Sequence, residues 1–335
     1  MNRKLATIQD VARVAGVSAA TVSRTLSNPS VVAEPTRQAV LTAVEQTGYR
    51  VNRTAAGLRR QRTGTVIALV PNLANPFFSQ IFAALSATLT EANYSLLVAD
   101  TQTGTDPDAQ LAQHLGSGQA DGLILFDGSL STAPLSIPGR PPVIAACEWL
   151  GADIPSVQVE NALGAALAVR HLAGRGHRAI GHVTGPRGNV LAESRLEGFR
   201  RAMTDLGLPL RDDWIFEGDY SMRSGAAVAS RILSMRDRPS ALFFSSDEMA
   251  IGFMGAAQKA GMAIPADMSV VGFDNIEVCE HLSPALTTIR QQRRLIGERA
   301  ARLLLAMIED RSHHGQSERI PVELIERSST APVAL

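Results

Sequence analysis

The chain has 335 residues and no net charge, with 45% hydrophobic and 19% charged residues. It is too long for one ordinary core and too apolar to be disordered, so two or three globular domains are expected. No apolar run reaches the roughly 18 residues of a membrane span, MNRKLATIQD lacks the apolar core of a signal peptide, and the two cysteines, Cys147 and Cys279, fit no CxxC spacing, which points to a cytosolic protein without a disulfide framework.

The neutral sum hides a segregation of charge. Residues 1–62 hold ten Lys or Arg against three acids, a net +7, and the other 273 residues carry −7. That pattern suits a small polyanion-binding module on an acidic body. A merely solvated basic tail would show neither helical periodicity nor caps, and this segment has both. Thr7-Ile8-Gln9-Asp10 has the form of a capping box with Asp in the Glu/Gln place, and Ile8, Val11, Ala12 and Ala15 follow at helical spacing. Gly16 stops that helix, Val17 plugs a core, and Ser18 is a good N-cap for a second helix with Val22 and Leu26 inward. A third helix is expected near Pro35, with Val40, Val44 and Tyr49 closing the core. Helix, short glycine turn, helix is the helix-turn-helix pattern. On the outer face Ser18, Thr21 and Ser23 can bond phosphates and Arg24 can reach a guanine edge. An amphipathic helix pair with a Ser-rich loop would give the same pattern in isolation.

The ordered run TIQDVARVAGVSAATVSRTLSN, followed by TRQAVLTAVEQTGYRVNRTAAGLRR, resembles the N-terminus of LacI/GalR-family transcription regulators. The resemblance implies a DNA-binding domain over 1–50 and a hinge over 51–63. It places Ala19, Ala20 and Arg24 at base-reading positions, with Thr7 in the DNA-facing set. Two alanines depart from members with larger polar residues, which leaves Arg24 as the main hydrogen-bonding reader. In that family the hinge becomes a helix only on a two-fold operator and wedges a leucine into the minor groove. Leu58 holds that position with Ala55 beside it; Asn52, Arg53 and Arg59 complete the set, and Arg60 and Arg62 are further phosphate ligands. Gly57 weakens helix formation there by about 1 kcal/mol relative to Ala, which fits a segment that is unstructured without DNA.

From Thr65 short apolar runs alternate with helical patterns. TVIALV (65–70), SLLVAD (95–100), DGLILF (121–126), PVIAAC (142–147), RAIGHVT (178–184), SALFFS (240–245) and MSVVGF (268–273) read as buried strands. Helices are expected near 77–93, 106–118, 161–174, 192–206, 221–235, 247–260 and 292–309. The alternation predicts an α/β core of two doubly wound parallel-sheet subdomains. It resembles the periplasmic-binding-protein fold that carries the family's effector site. The resemblance implies one subdomain over 64–160 and 290–319, a second over 161–289 and 320–335, and crossings near Val159–Asn161, Ile289–Gln291 and Arg319–Pro321. The strand-like RIPVELIER and short tail carry no leucine-heptad extension, so a tetramer is not indicated.

Ligands of open α/β sheets bind at the carboxyl ends of strands. Residues there are Asn75, Phe77 and Phe78 after the first strand, and Cys147, Glu148 and Trp149 after the fourth. One phenylalanine is expected in the core and the other toward the cleft. Asn189, Arg195 and Tyr220 fall at effector positions by the resemblance, and Arg195 can grip vicinal hydroxyls or a carboxylate. Ser246 and Asp247 open a helix, Asp247 as N-cap or ligand contact; Asp274 can accept two ligand hydroxyls and is the leading effector residue.

GxSxG, HExxH and P-loop motifs are absent, and GSGQADG (116–122) lacks the third glycine of GxGxxG. His313 and His314 read as solvated, the other histidines show no metal spacing, and neither enzyme activity, metal nor cofactor is expected. The reading is a cytoplasmic, homodimeric DNA-binding repressor whose binding to a pseudo-palindromic operator is modulated by a small effector between the subdomains. VPNLANPFFSQI, CEW, SSDEMAIG and GFDNIE make the body most similar to the family's cytidine-repressor branch, which implies a nucleoside, although the same positions also take sugars. The alternative is a cytosolic sugar- or nucleoside-binding protein, or a hydrolase, with an incidental basic N-terminus.

Overall fold

The computed structural model describes residues 6–49, 62–103, 106–151, 154–310 and 316–333. They belong to two units, Met1–Gly64 and Thr65–Leu335.

The first unit is three helices, α1 (Ile8–Ala15), α2 (Ala19–Ser27) and α3 (Glu34–Thr47). Thr7 and Asp10 form the reciprocal capping box: the Asp10 N–H donates to Thr7 Oγ1, and the Thr7 N–H donates to Asp10 Oδ2 at 3.0 Å. Gly16 ends α1 at φ +64°, a left-handed conformation that favours glycine. Ser18 caps α2 by accepting the Thr21 N–H at 3.1 Å. Pro35 sits in the first turn of α3, where its missing N–H is no loss. Val11, Ala12, Val22, Val40 and Ala43 form the core, with Leu26, Val44 and Tyr49 against it. Ser18→Ala should destabilise α2 by about 1 kcal/mol, seen as faster hydrogen exchange of its amides; unchanged exchange would contradict the cap.

The second unit contains two six-stranded sheets. The first, in spatial order, is β11 (Glu318–Ile320), β5 (Ser156–Val159), β4 (Val143–Ala146), β3 (Gly122–Leu125), β1 (Thr65–Val70) and β2 (Ser95–Asp100), all parallel. The second is β12 (Val322–Ile325), β10 (Thr287–Gln291), β9 (Ser269–Asp274), β8 (Ala241–Phe244), β6 (Ile180–Val183) and β7 (Ile215–Phe216). β12 runs antiparallel to β10, a departure from the all-parallel expectation. The cause is chain direction: β10 leads out toward the first sheet, whereas β12 leads back from β11 with only Pro321 between them. β5 and β7 escaped the sequence reading because SVQV is only half apolar and β7 has two residues.

Helices α4 (Ser79–Glu91), α5 (Pro107–Gly116), α6 (Asn161–Gly174), α7 (Val190–Asp205), α8 (Met222–Ser234), α9 (Asp247–Lys259) and α10 (Arg293–Glu309) cover the sheets. Strands such as β1 and β8 are buried on both faces, so they read as continuous apolar runs. α10 lies directly on α4: a Cβ at Gly297 would overlap the Ile81 carbonyl. Gly297→Ala should therefore force the helices apart and destabilise the core by about 1–3 kcal/mol, as denaturant unfolding would show; wild-type stability would contradict that contact. Among the described residues no helix is long and apolar enough to cross a membrane.

Candidate functional site

On the outer side of the three-helix unit, Ala20 and Arg24 are exposed, and Thr21 and Ser23 are half-exposed. Ala19 is half-buried against the small core. Ser18 and Thr21 are joined hydroxyl to hydroxyl at 2.9 Å. Arg24 forms no ion pair among the described residues, so its guanidinium projects into solvent. Asn52, Arg53, Ala55, Leu58 and Arg59, and also His313 and His314, lie outside the described residues.

In the second unit, polar side chains from the strand ends of the two sheets meet in a buried site. After β4 the chain turns at Cys147, φ +66°, and places Glu148 inward, 8% exposed. Glu148 Oε2 accepts the Gly128 N–H at 2.6 Å, and Oε1 accepts Asn189 Nδ2 at 2.8 Å. This second bond crosses from the first sheet to the second. Asn189 is also the N-cap of α7: its Oδ1 accepts the N–H groups of Leu191 and Ala192 and the Tyr220 hydroxyl at 3.0 Å. Tyr220 is held at φ +66°, with its ring against Gly185 so closely that any Cβ there would collide with it.

Arg195, on α7, is 2% exposed. Its Nε donates to Asn161 Oδ1 at 2.9 Å, its Nη1 donates to the Ser245 carbonyl, and its guanidinium lies 3.8 Å above the Phe273 ring. Asp274 ends β9 at φ +126°, 7% exposed, and accepts Gln291 Nε2 at 2.6 Å. Burial pushes the Asp274 carboxyl up to about 8, against the pull of Arg195 and with a further push from Asp247. Burial likewise raises Glu148, Cys147 and Tyr220, and the last two also feel the charges of Glu148, Asp274 and Arg195. Cys147, Glu148, Arg195, Tyr220 and Asp274 thus share one electrostatic site. Burial and the neighbouring carboxyls thus disfavour the Cys147 thiolate.

Two sequence-based expectations change. Phe77 and Phe78 are both buried, at 8% and 6%, so neither is simply a cleft wall. Phe78 stacks on Phe82 and meets Phe77 and Phe126 edge-on, and that aromatic cluster holds the pair in the core. Asn75, half-exposed, accepts the Phe77 N–H at 2.8 Å and shapes this corner. The N-cap of α9 is Ser246, which has the extended backbone a cap needs and accepts the Met249 N–H. Asp247 is therefore not the cap, and its side chain turns inward: its oxygens accept Thr288 Oγ1 at 2.6 Å, the Ile276 N–H at 2.9 Å and Cys279 Sγ at 3.1 Å. It ties the loop after β9 to the sheet. Gln291, Asn161 and Ser245 were missed because each touches its partner only through tertiary folding.

The raised Asp274 carboxyl gives a signed expectation. The folded chain holds this proton more tightly than the unfolded chain, so its stabilising effect is complete below about pH 4 and is lost as pH climbs toward about 8. Asp274→Asn cannot ionise, so its melting temperature should rise relative to wild type between pH 5 and pH 9, to the order of a few degrees. A pH-independent difference would contradict it. His182, stacked between Phe199 and Phe243, acts oppositely: burial lowers it to about 3, so its contribution is lost as pH falls below its ordinary 6.5.

A helix-turn-helix unit with an exposed arginine on its second helix, followed in the chain by two sheets whose facing strand ends share polar side chains, is the build of a DNA-binding regulator with an effector core. Residues 7–52 match the lacI family of bacterial regulatory proteins, and residues 169–330 match the periplasmic binding protein-like domain. The HTH-type transcriptional repressor PurR of Aliivibrio salmonicida is 34% identical over 331 residues, covering 97% of this chain and 99% of that one. The HTH-type transcriptional repressor CytR of Escherichia coli is 33% identical over 329 residues, covering 97% and 96%. A crystal structure of the lac repressor dimer, bound to operator and the anti-inducer ONPF, aligns at TM-score 0.87 and 30% identity over 98% of this chain and 100% of that one. The chain belongs to the LacI family of transcriptional regulators, with a DNA-binding helix-turn-helix domain and an effector-binding core.

Proposed function

We propose that this protein is a cytoplasmic homodimeric repressor that binds a pseudo-palindromic operator and senses a nucleoside. Arg24 reads a guanine edge, Ala19 and Ala20 approach thymine methyls, and Thr7, Ser18, Thr21 and Ser23 position the helix on phosphates. Leu58 and Ala55 enter the minor groove, with Asn52, Arg53 and Arg59 on the backbone. Two half-sites require two heads, and the exposed Leu97 on edge strand β2 supports pairing of two copies. The effector lies between the sheets. Its hydroxyls meet Asp274 and Arg195, its flat face rests on Tyr220, and Glu148 and Asn189 close over it from opposite sides.

The bond from Asn189 Nδ2 to Glu148 Oε1 at 2.8 Å carries this reading. It joins the two sheets at the cleft itself, so a ligand that replaces either partner changes how the sheets approach each other. An effector acts only through such differential affinity for two arrangements. Calorimetry with cytidine, adenosine, ribose and a hexose panel tests the ligand class, and a nucleoside is expected to bind tightest. Tight binding of a hexose alone would overturn the nucleoside assignment. Footprinting on DNA upstream of the protein's own gene tests the operator, where protection of two symmetric half-sites is expected.

A further inference from the structure

Arg293 is the first residue of α10 and is 5% exposed. A buried cation at a helix N-terminus opposes the helix dipole as well as losing its water. Burial accordingly lowers its pKa, and Asp274 and Asp247 pull the other way. Its guanidinium hydrogen-bonds carbonyls, not a carboxylate: Nη2 donates to the Asn275 carbonyl at 2.9 Å and Nη1 to the Phe77 carbonyl at 3.5 Å. Asn275 follows β9 of the second sheet, whereas Phe77 precedes α4 on the first. One planar fork therefore spans the two halves of the core.

The corner it grips is strained. Asp274 and Asn275 are consecutive non-glycine residues at φ +126° and +56°. Such backbone persists only where its surroundings hold it in place. Two arginines do so here: Arg293 on the Asn275 carbonyl, and Arg327, whose Nη2 donates to Asn275 Oδ1 at 2.8 Å. They differ in reach. Arg327 also bonds the Leu286 carbonyl and stays within the second half. Arg293 belongs to α10, which meets α4 backbone to backbone one turn later at Gly297 and Ile81.

We infer that Arg293 is a positioning residue that transmits the state of the Asp274 corner to α10 and α4 of the first half, without itself touching the effector. This rests on Asp274 as an effector residue for its biological meaning, but the mechanical link can be tested alone. Hydrogen exchange is followed at amides 77–82 in the ligand-free full chain at about pH 9, where Asp274 is ionised and Asn is not its neutral mimic. Asp274→Asn should change exchange there by about fivefold or more, the lower end of ordinary coupling between sites. In an R293Q background the same substitution should leave those amides within about twofold. R293K keeps the cation but lacks the planar fork, so it should lose transmission too and serves if R293Q folds poorly. R327Q should leave transmission intact.

A merely structural Arg293 would lower stability, yet Asp274→Asn would act equally in both backgrounds, and that result overturns the inference. So does an Asp274→Asn protein whose amides 77–82 are unchanged. In parallel, R293Q should bind cytidine within about threefold of wild type while losing most of the cytidine-dependent change in operator affinity. A wild type that binds no member of the panel overturns the effector reading, and the exchange cycle still decides the link.

Discussion

Asp274→Ala should yield a repressor that still occupies its operator and no longer responds to its effector. Asp274 is buried at the end of β9, with one oxygen engaged by Gln291 and Arg195 within electrostatic range. Removing this buried carboxyl leaves the ligand hydroxyls and Gln291 Nε2 without their partner. The loss is about 2–5 kcal/mol, which moves a micromolar site toward millimolar. The three-helix unit has its own core and does not draw on Asp274. Operator affinity without effector should therefore stay close to wild type. Calorimetry with cytidine and the rest of the panel measures the first half, and anisotropy of a labelled operator the second. Undiminished ligand binding would remove Asp274 from the site.

Arg24→Ala should weaken specific operator binding by about 1–3 kcal/mol, the contribution of one good bidentate base contact. Arg24 is exposed on α2, and its neighbours Ala19 and Ala20 cannot hydrogen-bond through their side chains. The remaining polar groups, Ser18, Thr21 and Ser23, are short hydroxyls, and the first two already bond each other. On the proposed docking, discrimination rests mainly on one side chain. Random DNA should lose only the effect of one charge, a decrease of about one in the salt slope. Equal loss on operator and random DNA would make Arg24 a phosphate contact instead.

The sequence exposes features set by local chemistry. Thr7, Asp10, Gly16 and Ser18 mark helix ends within a few residues, and each does so in the structure. The apolar runs at β1 and β8 stand out because buried parallel strands need no alternation; SLLVAD reads the same way, but β2 is an edge strand, only half-buried and with Leu97 exposed. Asp274 and Glu148 stand out in the sequence because each follows a strand end, where ligands of open α/β sheets bind. Features that depend on tertiary partners were not legible. The serines and aspartate of SSD offer three possible caps, and only the backbone shows that Ser246 takes the role and Asp247 turns inward. Phe77 and Phe78 cannot be told apart in sequence, and Phe126 and Phe82 decide their burial. Arg293 reads as an ordinary helix-start cation, because Phe77 lies 216 residues away in the chain.

On the proposed reading, one chain couples a DNA-reading head to a nucleoside-binding site. Operator affinity measured by anisotropy, with and without saturating cytidine or adenosine, tests it most directly in wild type and Asp274→Ala side by side. One nucleoside should shift wild-type affinity by about 5- to 150-fold, the usual range of allosteric coupling, and leave Asp274→Ala unmoved. A nucleoside that binds the wild-type core and leaves operator affinity unchanged would contradict it.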